Sequence, residues 1–278
     1  MQRHIAARPA PAAQWSLTVT QEEPTMAWFE HDGDTRIYYE ESGAGVPLLI
    51  VNGWSGTIDD LLPVRDALSA SYRVIAADAP GSGKSGPQPR TYTPGYNEAD
   101  ARAFLAMLKV LDATPAHLVG FSDGGEAGLL IAAIEPSAAR SIVTWGAAGS
   151  LGTDTALADM FYNLIDDPIP ELRDYSAYMK TMYGEANARI MCQSAGSTFR
   201  TIIERGGDIS RSRAADIACP ALLITGENDI FDPPELVSAM AGAIPRGEFL
   251  VAPGSGHAVH HDRFDWLVDV MTAWLAKH

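Results

Sequence analysis

Leu118-Val119-Gly120-Phe121-Ser122-Asp123-Gly124-Gly125 constrains this chain more than any other stretch. A short apolar run there passes through Gly-x-Ser-x-Gly directly into an Ala- and Leu-rich segment ending near Glu135-Pro136. A strand that turns sharply into a helix with a serine at the apex needs small residues two before and two after it, because larger side chains would collide across the turn. An ordinary Gly/Ser turn is the alternative, and it accounts for neither the apolar run before nor the helical segment after.

The rest of the chain repeats that strand-then-helix grammar. Residues 27–31 and 35–41 are rich in aromatic and β-branched side chains and flank Asp32-Gly33-Asp34, the pattern of an antiparallel hairpin. Beyond Gly43-Ala44-Gly45 come short, mostly apolar runs at 46–51, 72–77, 116–121 and 141–145, as expected of strands covered on both faces. Between them, residues 97–111 place Phe104, Met107, Leu108 and Leu111 on one helical stripe. The alternation returns with strands at 221–225 and 248–252, a helix at 234–244 and a final helix sharing Phe264, Leu267, Val268, Met271 and Leu275 on one face. Such alternation predicts an α/β fold with a mostly parallel sheet and helices on both faces.

Between residues 149 and 218 the alternation lapses into helical segments rich in Met and Tyr, among them Met160, Phe161, Tyr162, Tyr175, Tyr178, Met179, Met182 and Tyr183. They read as an inserted helical cap on a core of residues 26–148 and 219–278; interior packing alone would account for each side chain taken singly.

Composition narrows the partners. With 35 acidic against 20 basic residues the formal charge is −15, which disfavours nucleic acid and anionic membrane surfaces. No run approaches the ~20 apolar residues of a membrane-spanning helix. Residues 1–25 carry Arg3 and Arg8 but no signal-type apolar segment and read as a weakly ordered leader. Cys192 and Cys219 are too few for a disulfide framework and lie in no metal-ligand spacing, so the expectation is reduced thiols in a cytoplasmic enzyme. Oligomeric state is not legible.

A serine hydroxyl becomes a nucleophile at neutral pH only when a base takes its proton and a carboxylate orients that base. Gly226-Glu227-Asn228-Asp229 directly follows one late strand and Ser255-Gly256-His257 the next. Asp229 and His257 therefore belong to loops at strand C-termini, the end at which open α/β sheets bind ligands. Glu227 and Asp232 are rivals for the acid; Asp232 precedes Pro233-Pro234, where capping the next helix is a sufficient role. His260 and His261 suggest a metal cluster with His257, but the Glu of a His-Glu-x-x-His helix is missing, and exposed histidines at a helix entrance are the simpler reading. Acyl transfer also needs two donors for the oxyanion. The Asp123 amide is one, and Asn52-Gly53-Trp54-Ser55-Gly56 supplies the other, with Trp54 favoured because Gly53 lets the backbone turn its amide inward.

With these elements in order, residues 27–278 resemble the α/β-hydrolase superfamily. Asp78-Ala79-Pro80-Gly81-Ser82-Gly83-Lys84-Ser85 is similar to its Asp-x-Pro-Gly-x-Gly-x-Ser loop, and Gly254-Ser255-Gly256-His257 to its histidine loop. Gly120-Phe121-Ser122-Asp123-Gly124-Gly125 and Thr144-Trp145-Gly146-Ala147 resemble the valacyclovir hydrolase (biphenyl hydrolase-like) branch. That resemblance implies a cofactor-independent, carboxylesterase-like serine hydrolase acting on a small-molecule ester, with Asp123 as an anchor for a substrate ammonium. Asn52-Gly53 departs from the family's His-Gly or Pro-Gly and resembles enol-lactone hydrolases instead. Substrate contacts are expected from Asn52, Gly53, Asp123, Trp145, Met160, Tyr178 and Met182, with no metal.

Lactone or carbon–carbon bond hydrolysis would use the same triad, and a non-catalytic small-ligand receptor could share the scaffold. Nucleotide binding at Gly81-Ser82-Gly83-Lys84-Ser85 is disfavoured, because position 78 is Asp rather than Gly and the segment runs into Gly86-Pro87-Gln88-Pro89 instead of opening a helix.

Overall fold

The computed structural model describes residues 24–278; the leader expected over residues 1–25 lies, up to residue 23, outside the described residues. In chain order the elements are β1 (Thr25–Glu30), β2 (Arg36–Ser42), β3 (Pro47–Val51), α1 (Leu62–Ser69), β4 (Arg73–Ala77), α2 (Tyr96–Val110), β5 (Ala116–Phe121), α3 (Asp123–Ile134), β6 (Ala139–Trp145), α4 (Ala156–Tyr162), α5 (Arg173–Tyr183), α6 (Glu185–Glu204), β7 (Ala221–Gly226), α7 (Pro234–Ala243), β8 (Gly247–Ala252), α8 (Val259–Asp262) and α9 (Phe264–Leu275). Each strand read from the sequence is present within two residues of its expected bounds.

The eight strands form one sheet in the order β1-β2-β4-β3-β5-β6-β7-β8. β1 and β2 are antiparallel, and β2 meets β4 antiparallel. Every pairing from β4 across to β8 is parallel. The chain leaves β3 for β4 on one side and later returns to place β5 on the other, so the C-terminal ends of β3 and β5 border a topological switch point.

Apolar residues at helical spacing cover both faces. On one face Phe104, Met107 and Leu108 of α2, Leu129 to Ala132 of α3 and Met240 of α7 pack on Leu49, Leu118 and Leu223. On the other, Val64 and Leu68 of α1 and Leu267, Met271 and Leu275 of α9 pack on Leu48, Val119 and Leu222. Burying one such side chain contributes about 1.5–3 kcal/mol.

Between β6 and β7 the chain leaves the sheet for α4, α5 and α6, whose inner faces form a third cluster around Met179, Met191, Cys192 and Phe199. The outgoing and returning legs of this excursion meet at its foot: Ser150 bridges Asp208, and the Gly149 carbonyl accepts from the amides of Ile209, Ser210 and Arg211. One buried carboxylate ties both legs to α3, since Glu126 accepts from the Gly149 amide and the Ser210 hydroxyl, each at 2.6 Å. Burial pushes the Glu126 carboxyl up to about 7 against the pull of those two donors.

Candidate active site

Ser122 stands between β5 and α3 with φ 51° and ψ −121°, a conformation that costs a non-glycine residue about 1–3 kcal/mol. Its neighbours make that shape necessary. A Cβ on Gly120 would run into the backbone of Gly124 and Gly125, and one on Gly124 would run into the carbonyls of Val51 and Asn52. The elbow can therefore sit this tightly against the end of β3 only with glycine at both places.

Loops at the C-terminal ends of three strands converge on that serine. His257 Nε2 lies 3.1 Å from Ser122 Oγ, and His257 Nδ1 lies 2.8 Å from Asp229 Oδ2. The Asp229 side chain is fully buried, and its other oxygen accepts from the amides of Phe231 at 2.9 Å and Asp232 at 3.0 Å. The rings of Phe121 and Phe231 pack on the imidazole with centroids at 4.8 and 5.0 Å, which restricts its rotation. With a proton on Nδ1, Nε2 is free to accept one from the serine. Ligand atoms of Asp229, Asp232 and His257 fall within 4.8 Å of one another, the one such metal-sized cluster among the described residues; both nitrogens of His257 and both oxygens of Asp229 are already engaged in the hydrogen bonds just described.

The loop after β3 lies against the nucleophile, with Gly53 so close that a Cβ there would sit 3.0 Å from the Ser122 Cβ. The Trp54 amide donates to no protein acceptor among the described residues, and the Asp123 amide belongs to the first turn of α3, where helix amides lack partners. These two amides were the expected oxyanion donors. Asn52, expected to touch substrate, borders the small cavity beside Asp123 and also ties this loop together. Its Oδ1 accepts from the Gly53 amide at 2.7 Å, and its Nδ2 donates to the Thr57 carbonyl at 2.9 Å and to Asp60 at 3.2 Å.

Helix α5 grips the same loop from above. The Tyr175 hydroxyl donates to the Trp54 carbonyl at 2.7 Å, the Tyr183 hydroxyl to the Ser55 carbonyl at 2.6 Å, and the Tyr178 hydroxyl to Asp60 at 2.9 Å. Ser55 itself has φ 56°, so this backbone is held in an uncommon conformation by partners from the excursion. The Trp54 indole packs edge-on against Phe161, 5.1 Å between centroids.

Beside Ser122, the Asp123 side chain faces a chamber of about 10 Å³, room for about one water-sized group, that also touches Gly53, Trp54, Arg90 and Tyr92. Asp123 accepts from the Tyr96 hydroxyl at 2.8 Å, and Arg90 pairs with Asp100 at 2.7 Å. Burial, opposed by the Tyr96 bond and the Arg90 charge, raises the Asp123 carboxyl to about 6. Tyr92 Oη and Trp54 Nε1 are buried without a hydrogen-bond partner among the described residues, polar atoms that normally find one. Arg90, Tyr92 and Tyr96 were not singled out in the sequence, because they lie in and after a Pro-rich loop whose approach to the elbow is a tertiary fact.

Four expectations need correction. Trp145 does not line the pocket: it is fully buried under Phe121, and its indole donates to His260 Nδ1 at 3.0 Å. His260 is accordingly interior, not an exposed residue at a helix entrance, and burial lowers its pKa to about 3. Asp232 caps no helix; Pro233 holds the N-cap of α7, and Asp232 Oδ2 lies 3.8 Å from His257 Nδ1. Of the excursion residues expected at the substrate, Met182 is 42% exposed, one residue off the buried Ser176, Met179, Tyr183 stripe of α5. Met160 packs within the third cluster and Tyr178 on Tyr175, and neither borders the chamber.

Comparison with known proteins bears on the family and the fold. A profile of the alpha/beta hydrolase family matches residues 48–270. The chain is 28% identical over 272 residues to the dihydrolipoyllysine-residue acetyltransferase component of the acetoin cleaving system of Pseudomonas putida, covering 91% of this chain and 67% of that one. It is 26% identical over 226 residues to serine hydrolase BPHL of Homo sapiens, covering 80% and 75%. Its fold superimposes on the enol-lactonase from Burkholderia xenovorans with a TM-score of 0.71 at 21% identity, covering 90% of this chain and all of that one. The eight-stranded sheet, its helices and the profile that spans most of them place this chain in the alpha/beta hydrolase family.

Proposed function

We propose that the chain is a serine hydrolase that cleaves a small-molecule carboxylic ester through an acyl-enzyme on Ser122. The carrying observation is the unbroken relay from Ser122 Oγ through His257 to Asp229, at 3.1 and 2.8 Å. In the first step the serine oxygen attacks the ester carbonyl while His257 Nε2 takes its proton. The negative charge that forms on the carbonyl oxygen lies between the Trp54 and Asp123 amides, donors already oriented before reaction. His257 then returns the proton to the leaving alcohol, and water, activated by the same imidazole, releases the acid. No cofactor enters these steps. Two buried thiols in no disulfide, Cys192 and Cys219, suit a cytoplasmic setting.

The test is hydrolysis of a small activated ester such as p-nitrophenyl acetate. Ser122→Ala is expected to lower kcat by about 10⁵-fold or more. Absence of turnover by the wild type across simple esters, aminoacyl esters and lactones would overturn the reading.

A second reading concerns which ester, and the chamber beside Asp123 favours it. A carboxylate, an unpartnered tyrosine hydroxyl and water-sized room next to the nucleophile suit the ammonium of an α-amino acid ester. Asp123 ionises above about 6, so the preference for an aminoacyl ester over its des-amino analogue is expected to shrink as the pH falls through that value. Equal preference in wild type and Asp123→Asn would remove the ammonium anchor.

A further inference from the structure

Two carboxylates, not one, face the outer nitrogen of His257. Asp229 Oδ2 lies 2.8 Å from Nδ1, and Asp232 Oδ2 lies 3.8 Å from the same atom, just beyond hydrogen-bond reach. Both residues stand in the loop between β7 and α7, and they are linked directly, because the Asp232 amide donates to Asp229 Oδ1. The Asp232 carbonyl is held by the Thr225 hydroxyl at 2.7 Å, so the main chain that carries Asp232 is fixed to the end of β7.

The surroundings explain why Asp232 waits rather than competes. Its side chain is 16% exposed. Around it stand Asp229 from the same loop, Glu126 and Asp123 from α3, and His257 from the loop after β8. Burial first and the neighbouring acids second, Asp229 foremost, drive its carboxyl well above the usual carboxylate range. Loss of the Asp229 carboxylate would remove the largest of those repulsions and open the space in front of Nδ1.

We propose that Asp232 is a second positioning residue for the same histidine, a reserve carboxylate that takes up His257 Nδ1–H when Asp229 is lost. The inference rests on the reading of Ser122 and His257 as nucleophile and base. No bond is made or broken beyond a hydrogen bond: the Asp232 carboxylate, any proton it holds passing to solvent, accepts the Nδ1–H, crossing about an ångström that one side-chain torsion covers. A residue that merely filled space would not depend on what stands at position 229.

That dependence is the test, read as kcat/KM for a small activated ester in purified full-length protein. Asp232→Asn alone is expected to lower the rate about threefold, and Asp229→Ala about 10²-fold, because the vacated space admits Asp232. Asp229→Asn is expected to lose about 10⁴-fold although it changes fewer atoms, since its amide presents an N–H to Nδ1 and holds the wrong tautomer while blocking Asp232. Adding Asp232→Asn to Asp229→Ala should bring that variant down to about the same 10⁴-fold loss. If the double variant is as active as Asp229→Ala, or if Asp229→Ala is no better than Asp229→Asn, the inference is overturned. Thermal melting checks that each chain folds; should alanine unfold the loop, Asp229→Ser, which still offers an acceptor to the Phe231 and Asp232 amides, takes its place with the same expectations. A wild type without activity defeats the hydrolase reading, whereas the reserve role fails only through the variants.

Discussion

The two halves of the site are built by different means. Ser122, Asp229 and His257 stand on loops that leave β5, β7 and β8, and main chain of the sheet and its loops holds the first two: the Trp145 carbonyl at the end of neighbouring β6 accepts from the Ser122 amide, and the Phe231 and Asp232 amides donate to Asp229. The excursion between β6 and β7 contributes through side chains that reach across more than a hundred residues, as Tyr175 and Tyr183 of α5 do to Trp54 and Ser55. A reacting centre fixed by local backbone tolerates a change of substrate above it. A donor loop braced from the excursion does not, because whatever moves α5 also moves the Trp54 backbone. The lesson is that the excursion helps to set the geometry of the loop that carries Trp54, the proposed oxyanion donor.

Substitutions should sort by half. His257→Ala removes the imidazole that meets Ser122 Oγ and is expected to lower kcat by about 10⁵–10⁶-fold in steady-state ester hydrolysis, with melting changed little. Tyr175→Phe deletes one hydroxyl that never meets the reacting carbon, yet it frees the Trp54 carbonyl; a kcat loss of about 10-fold with a small change in KM is expected, a fraction of what removing an oxyanion donor outright causes. A pure KM effect would show that the excursion shapes only the substrate pocket. Asn52→Ala, which leaves the Gly53 amide unpaired and takes one of two donors from the Thr57 carbonyl, should destabilise the chain by about 1–3 kcal/mol in denaturant unfolding and slow turnover with it. Met182→Ala, on the solvent side of α5, should stay within about 0.5 kcal/mol of wild type and leave kinetics unchanged.

The anchor between the halves has its own signature in pH. Glu126 holds both legs of the excursion to α3, and its folded-state pKa of about 7 stands above the unfolded 4.5. The folded state therefore binds this proton more tightly, so stability from this group is complete below about pH 4.5 and declines as pH rises through 7. Glu126→Gln keeps an acceptor for Gly149 and a partner for Ser210 while removing the charge. Its melting temperature is expected to exceed that of wild type at about pH 8 and to match it at about pH 5, in scanning calorimetry at both values. A difference that is the same at both would locate the effect in packing.

How much was legible in the sequence follows the same division. Gly120, Ser122 and Gly124 announce a strand-to-helix elbow because the close approach of backbones there admits nothing larger, and that demand is local. Asp229 and His257 could be placed because each follows an apolar strand by only a few residues. Trp145 was misplaced for a local reason too. It ends a strand whose far face lies on α9, so its ring turns under Phe121 into the core beside Val143 and Met271. The part Asn52 plays inside its loop was not legible, because an amide beside a glycine serves a ligand or a turn equally well until its bonds to Thr57 and Asp60 are seen. In the excursion, Met and Tyr at helical spacing describe an interior as readily as a pocket. Only packing separates Tyr175, which braces the Trp54 backbone, from Met182, which faces solvent.

The proposed role of Ser122 is tested most directly by treating the wild type and Ser122→Ala with a fluorophosphonate and weighing the intact chains. One adduct per wild-type chain, mapped by peptide sequencing to Ser122 and missing from the variant, is the expected result. An unlabelled wild type, or a label that persists in Ser122→Ala, would contradict the assignment of Ser122 as the nucleophile.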